Sequence, residues 1–485
     1  MLTSNQVLSQ EGTFYVREFT SWSRDLRVRA DGQGVVAMAG AVPLRMLADR
    51  SGLTERLSVA LARVDFFPIH DRGRVLTDVA TSIGCGARDI VEVEGLRAQE
   101  LLFGPVASDT TVGRALGEVG QAGRAGIAAA RLAARAHVWS LLAAGPPPLT
   151  VAGSYSMGDQ IVVRVDASIV ECHSRKQGAA GTYKNTFGHM PVGAWIDNTG
   201  ELASLLLRPG NAAPNDAMDL VTVVDEAIGQ VPAPYRRRLL VTCDTAGASH
   251  ELIGWLDQLN RFDNAMTLQY SIGWDITSQV RAAIGMLAPQ CWTPALDAYT
   301  GQPRHDMDVA EITALLADWL AACGWPADMR ILVRRRRLAD GEQPTLFAIN
   351  GYKFSAFATN STGLGHQLLD ARHRQHARVE DEVRTTKHTG LSRFPSKFWD
   401  ANLGWAQAIC IGVDLLAWLK LLGDLPPDLK RAEPTTLRYR LLSTPARITR
   451  GQRHRWLRLP EHWPWSHVLA HAIDTIARLP LPARA

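Results

Sequence analysis

Past residue 150, five short apolar runs and two helix starts follow one another in an order that few folds accept. Ile161-Val162-Val163-Arg164-Val165 is β-branched, short and bounded, as a buried strand is. The runs at 192–196 and 202–207 flank Asp197-Asn198-Thr199-Gly200, a hairpin signal. Asn215 or Asp216 can cap a helix reaching about Gln230, and the run at 239–243 reads as a fourth strand. Ser249 can cap a second helix through Leu259, and residues 266–272 read as a fifth strand. The first three strands, the last two of them joined by that turn, read as an antiparallel meander. Helices placed before the last two strands call for crossovers and parallel pairing.

That succession is the one found in an α/β, ribonuclease-H-like core, and two aspartates stand at its strand ends. Asp166 closes the first strand and Asp244 the fourth. An Asp after a strand is commonly a turn residue, so the joint placement carries the weight here. The core needs one more helix to deliver a third acid, yet none follows at once. Strand-like pieces at 329–334 and 352–358 intervene, so residues 276–360 read as an inserted β-rich subdomain. The expected helix then runs from about Gly365 to Thr385 and carries Glu380. Three hard carboxylates converging on one point suit Mg²⁺ or Mn²⁺. On that helix Leu369, His373, His376, Glu380, Val383 and Lys387 recur every three or four residues and share a stripe if the helix is continuous. His373, His376, Lys387 and the adjoining Arg372 would then hold phosphates beside the metal, although a solvated charged helix has the same pattern.

The remaining segments frame this core. Residues 1–150 read as a helical domain, and 43–54 resembles two helices about a Gly-containing turn: a DNA-reading helix-turn-helix or an ordinary helical hairpin. The Ala- and Arg-rich run 123–137 is expected to be a helix exposing Arg124, Arg131 and Arg135. Gly145-Pro146-Pro147-Pro148 is a stiff breaker. The core is assigned to 151–275 and 361–425, and 426–485 is a basic carboxyl-terminal region. There Arg453 and Arg455, amid other arginines with Tyr439 and Trp456 interleaved, suggest phosphate contact. Arg334 and Arg336, in a run of four arginines after a strand, could do the same or point into solvent. Formal net charge is only +4, which by itself would not establish a nucleic-acid partner. Six scattered cysteines without a Cys-x-x-Cys pair argue against zinc and disulfides and fit a reducing cytoplasm. The start of the chain lacks a signal-peptide pattern, and the apolar stretch 409–422, interrupted by Asp414 and Lys420, reads as a buried helix, so no membrane is expected.

Several blocks in sequence order resemble the DDE transposases of bacterial insertion sequences, most closely the insertion sequence 1380 family. They are 165–171, 208–213, 243–249, His189-Met190-Pro191 and 389–396. The resemblance implies a ribonuclease-H-like core with a β-rich insertion, two divalent ions per site, and cut-and-paste transposition. Asp166, Asp244 and Glu380 would be its catalytic, metal-holding residues. Its partners would be duplex DNA with terminal inverted repeats and target DNA, engaged by a homodimer. The wider group carries a Tyr-x₂-Arg-x₃-Glu-x₆-Lys signature. Lys387 matches its Lys, but His373 and His376 stand where Tyr and Arg are expected, which would make end binding sensitive to pH near neutrality. Related enzymes with this insertion stack an aromatic on a flipped base, a part that Trp292 or Trp274 could play unless each is a core residue. A nuclease that never joins ends, and a derived DNA-binding protein without catalysis, are the competing readings.

Overall fold

A computed structural model describes residues 26–483 apart from 214, 263–264, 340–347, 350 and 452; the amino-terminal start lies outside the described residues. The five runs form strands: β1 (Ile161–Ala167), β2 (Val192–Ile196), β3 (Glu201–Leu206), β4 (Arg238–Cys243) and β5 (Thr267–Trp274). Their order in the sheet is β3-β2-β1-β4-β5. β1–β2 and β2–β3 are antiparallel, while β4 pairs in parallel with both β1 and β5. The short β2–β3 turn and the helical crossovers dictate their pairings, while β1 and β2 are joined through the longer segment 168–191.

Residues 276–360 do not stand apart from that sheet. Four further strands, β6 (Thr293–Leu296), β7 (Pro303–Glu311), β8 (Arg330–Arg337) and β9 (Tyr352–Thr359), extend it beyond β5 in the order β6-β7-β8-β9-β5. β9 docks antiparallel on β5, pairing Ser271 with Thr359 through Trp274 with Ala356. An open strand edge is a template for further pairing, and the segment uses it. Helices Ser278–Met286 and Thr313–Ala322 are interleaved with these strands.

The principal helices around the sheet are α1 (Arg72–Gly84), α2 (Gly120–Ser140), α3 (Ala217–Gly229), α4 (His250–Phe262), α5 (His366–Arg374), α6 (Val379–Thr386) and α7 (Trp399–Leu422). α7 is long and apolar enough to cross a membrane, yet 83% of its most apolar window is buried among α1, α2 and β3. It is the axle of the helical layer. Arg131 and Arg135 of α2, expected at the surface, are buried instead. Arg135 Nε donates to Glu201 at 2.8 Å, and both guanidiniums reach Asp414 of α7 at 3.0 and 2.8 Å. Trp139 and Trp418 indole N–H groups also donate to Glu201, at 2.8 and 2.7 Å. The alanines around these arginines let α2 approach closely, and acids from distant segments neutralise the charge that local sequence leaves unpaired.

The segment read as two helices about a glycine is Val42–Arg50 and Leu53–Leu61, with Gly52 at φ 74° between them. Strands Ala446–Gly451 and His454–Arg458 form a hairpin that pairs with Val35–Val36 in a separate small sheet.

Candidate active site

Parallel pairing brings the two aspartates to one level. The β1–β4 register matches Leu239 with Ile161 and Thr242 with Arg164. Continuing it by two residues sets Asp244 beside Asp166, on strands about 4.8 Å apart. Equal spacing along the two strands also points both side chains to the same face. Asp166 is half-buried and accepts a 2.8 Å bond from Ala167 N–H. Asp244 lies exposed just past β4 and caps the turn Thr245–Gly247, accepting from Ala246 N–H at 3.0 Å.

Two glycines make room there. A Cβ at Gly193, the β2 partner of Asp166, would meet the Trp195 indole at 2.5 Å. One at Gly273 of β5 would meet Thr245 N at 2.7 Å and the Asp244 carbonyl carbon at 2.9 Å. Bare backbone at 273 therefore lets the Asp244 turn fold tightly over the neighbouring strand.

The third acid arrives on α6, held across the same face by hydrogen bonds at both ends. His373 Nδ1 pairs with Ser271 Oγ at 2.9 Å, its ring stacked on Phe357 with centroids 4.3 Å apart. His376 Nδ1 pairs with Thr242 Oγ1 at 3.0 Å. Beyond, Thr386 Oγ1 accepts from Trp195 Nε1 at 2.9 Å. Between these anchors Glu380 occupies the first turn of α6, exposed. The expected single helix is three pieces: α5, a 3₁₀ turn at Gln375–Arg378, and α6. It breaks in the Lys387–Leu391 segment, where Thr389 and Gly390 leave helical geometry.

Mutual repulsion couples the three acids. The Asp166 carboxyl is pushed up to about 6, first by burial, then by repulsion from Asp244, with a smaller push from Glu380. Ala167 N–H and Lys184 act in the other direction. Asp166, Asp244 and Glu380 have no ion pair among the described residues. Among those residues no three His, Cys, Asp or Glu side chains lie grouped closely enough to hold a metal ion. The acids are thus electrostatic neighbours rather than a preassembled shell. Carboxylates without an ion pair, one of them resisting ionisation, are hard oxygen donors of the kind that divalent ions take. Lys387 is half-buried at the end of α6; burial lowers its pKa, and Lys184 lowers it further, against Glu171 and Asp166.

The other expected contact residues divide. His373 and His376 are packed under the helix; burial holds His373 well below its ordinary range and His376 at about 3. Both are neutral spacers at physiological pH, so the expected pH sensitivity near neutrality does not arise from them. Arg372 is buried beside Gln269 and Ser361. Arg334 pairs with Asp370 at 3.1 Å, and Arg336 lies on the same strand, β8. Trp292 lines a cavity of about 510 Å³ with the Arg335 guanidinium 4.4 Å from its ring centre, whereas Trp274 is buried against Trp325. Arg453 and Arg455 stand exposed at the tip of the carboxyl-terminal hairpin. Sequence reasoning missed Lys184, which sits in an unpatterned loop, and the two glycines, whose need appears only once strands are side by side.

No curated protein matches the chain. Among solved structures it is similar to a piggyBac transposase synaptic complex with hairpin DNA, at 9% identity and a TM-score of 0.41, over 94% of this chain and 89% of that one. The family "Transposase DDE domain group 1" matches residues 20–481, nearly the full length. The chain belongs to that DDE transposase family.

Proposed function

We propose that this transposase cuts DNA at the ends of a mobile element and joins them to target DNA, with Asp166, Asp244 and Glu380 as its catalytic, metal-holding acids. One observation carries the reading: adjacent parallel strands bring Asp166 and Asp244 level, and a hydrogen-bonded helix carries Glu380 near enough to raise the Asp166 pKa. The order β3-β2-β1-β4-β5 supports a ribonuclease-H-like core, with β6 to β9 as the insertion before the third acid. Mg²⁺ or Mn²⁺, two ions per site, would acidify the attacking water or 3′-hydroxyl and neutralise charge on the leaving oxygen. The chain's own part is positioning. The acids would hold the cations at the carboxyl-terminal ends of β1 and β4, while Lys184 and Lys387 would supply positive charge beside the scissile phosphate.

The hairpin 446–458 supports a duplex DNA partner. Its register sets Arg447 opposite Arg458 and Arg450 opposite Arg455. Like charges facing across a ladder are destabilising, and neither pair meets an acid among the described residues. A polyanion relieves that repulsion. Exposed Trp456 lies between them, and a two-stranded ribbon fits a major groove. The finer expectations belong to the same proposal: an element of the insertion sequence 1380 type with terminal inverted repeats, a cut-and-paste route, a homodimer on DNA, and a bacterial cytoplasm.

The test is incubation of purified protein with end-labelled terminal DNA, with and without Mg²⁺ or Mn²⁺. Nicks followed by joined products are expected. Hydrolysis that never yields joined ends would instead favour the nuclease reading. Asp166→Asn, Asp244→Asn and Glu380→Gln should each abolish cleavage and spare DNA binding, and retained nicking would remove that residue from the site.

A further inference from the structure

Six arginines are buried in the described residues, and five of them face a carboxylate. Arg45 meets Asp78, Arg131 and Arg135 meet Asp414, Arg164 meets Asp197 and Arg208 meets Asp219. Arg372, 4% exposed, is the sixth and has none. Its two terminal nitrogens donate to neutral oxygens, Gln269 Oε1 at 3.0 Å and Ser361 Oγ, and its buried Nε has no partner. Burial lowers its pKa to about 10, with Tyr155 opposing the fall and Arg330 adding to it. A buried guanidinium without a counter-charge is costly, and natural cores supply the missing anion.

The side chain lines a cavity of about 340 Å³. The cavity is bounded by Gln160 just before β1, Arg238 at the start of β4, Gln269 early in β5 and Thr362 just after β9. Those positions mark the amino-terminal ends of the parallel strands. Asp166 and Asp244 lie at the other ends, roughly 20 Å away at about 3.3 Å per residue. The lining holds Arg372, the exposed Arg238, which pairs with Asp159 outside the chamber at 2.7 Å, the hydroxyl-bearing Tyr155, Ser156 and Thr362, and no Asp or Glu. A chamber with that lining rejects cations and offers donors to an oxyanion. We infer that this cavity is a binding site for a phosphate group, with Arg372 as its buried cation and Arg238 at its mouth. The phosphate belongs either to bound DNA or to a free phosphate compound. This site is separate from the acid cluster and does not depend on the reading of that cluster.

Thermal unfolding of the full chain in inorganic phosphate, against chloride at equal pH and ionic strength, tests it. A ligand bound only by the folded state raises Tm, and a rise of about 1–3 °C is expected for the wild type. Arg372→Met should lose that rise while holding or gaining stability in chloride, because it removes an unpaired charge. Arg261→Met, on the exposed face of α4, should keep it. If Arg372→Met does not fold, ³¹P line broadening by the wild type and Arg238→Gln serves instead, with affinity expected to fall several-fold in the variant. No phosphate effect in the wild type, or an equal one in Arg372→Met, overturns the proposal. Duplex DNA that abolishes the phosphate-specific rise assigns the group to the DNA backbone; an undiminished rise assigns it to a free phosphate compound. Asp166→Asn should respond as the wild type does, so a failure at the acid cluster leaves this result readable.

Discussion

Asp166 holds a carboxyl where the folded chain resists its ionisation, and that has a sign that can be measured. Its pKa rises from the ordinary 3.8 to about 6 on folding. Between those values the folded state binds the extra proton, so stability falls as pH rises through the window and the penalty is complete above it. Asp166→Asn removes the penalty. In metal-free buffer at pH 7 to 8 the variant should exceed the wild type by about 1–3 kcal/mol in urea unfolding. The difference should vanish below about pH 4, and a gap independent of pH would rule out ionisation as its source. Cation binding needs the ionised acid, so the cleavage rate should drop as pH falls through about 6 and recover partly at higher Mg²⁺. His376, already neutral far above its pKa of about 3, contributes nothing to that limb.

Elements place these residues with little slack. The β5 backbone passes under the Asp244 turn so closely that Gly273→Ala would force either β5 or the turn to shift by several tenths of an ångström. The expected result is a folded protein, by circular dichroism, with cleavage reduced at least tenfold and DNA affinity kept. Unchanged cleavage would show that the turn tolerates the shift. A second tight junction lies where α2 and α7 dock on β3 through Glu201. Its carboxylate accepts from Arg135, from two tryptophan indoles and from Thr199 at 2.6 Å. Glu201→Gln leaves two buried guanidiniums sharing Asp414 alone. It should cost about 3–5 kcal/mol in urea unfolding, far more than any surface ion pair in the chain is worth.

On the scale of the molecule, charge is concentrated rather than abundant. A net +4 spread evenly would attract DNA weakly, but five arginines of the hairpin lie within a dozen residues, exposed. Each phosphate neutralised by one of them releases a counterion, so log K falls with log salt by about 0.9 per contact. Arg447→Ser together with Arg458→Ser should flatten that slope by about 2 in fluorescence anisotropy with duplex DNA. An unchanged slope would move the DNA surface elsewhere. The same double variant should leave urea stability intact or raised, because it removes one like-charge pair facing across the ladder.

Local pattern alone marked the five core strands, their order along the chain and the two aspartates at the ends of two of them, because β-branched runs, turn residues and helix caps act over a few residues; it did not mark β6, β7 or the hairpin 446–458. It also marked the helix that carries Glu380, though not the 3₁₀ turn within it. What it left open depended on partners far away in the chain. Arg131 and Arg135 read as surface residues until Asp414 and Glu201 come to meet them. His373 and His376 read as phosphate ligands until the fold buries them and Ser271 and Thr242 each engage one ring nitrogen. Residues 276–360 read as a subdomain until β9 pairs with the open edge of β5. Whether a charged group faces water or a buried acid is decided by contacts between distant segments, and only the folded chain makes those contacts.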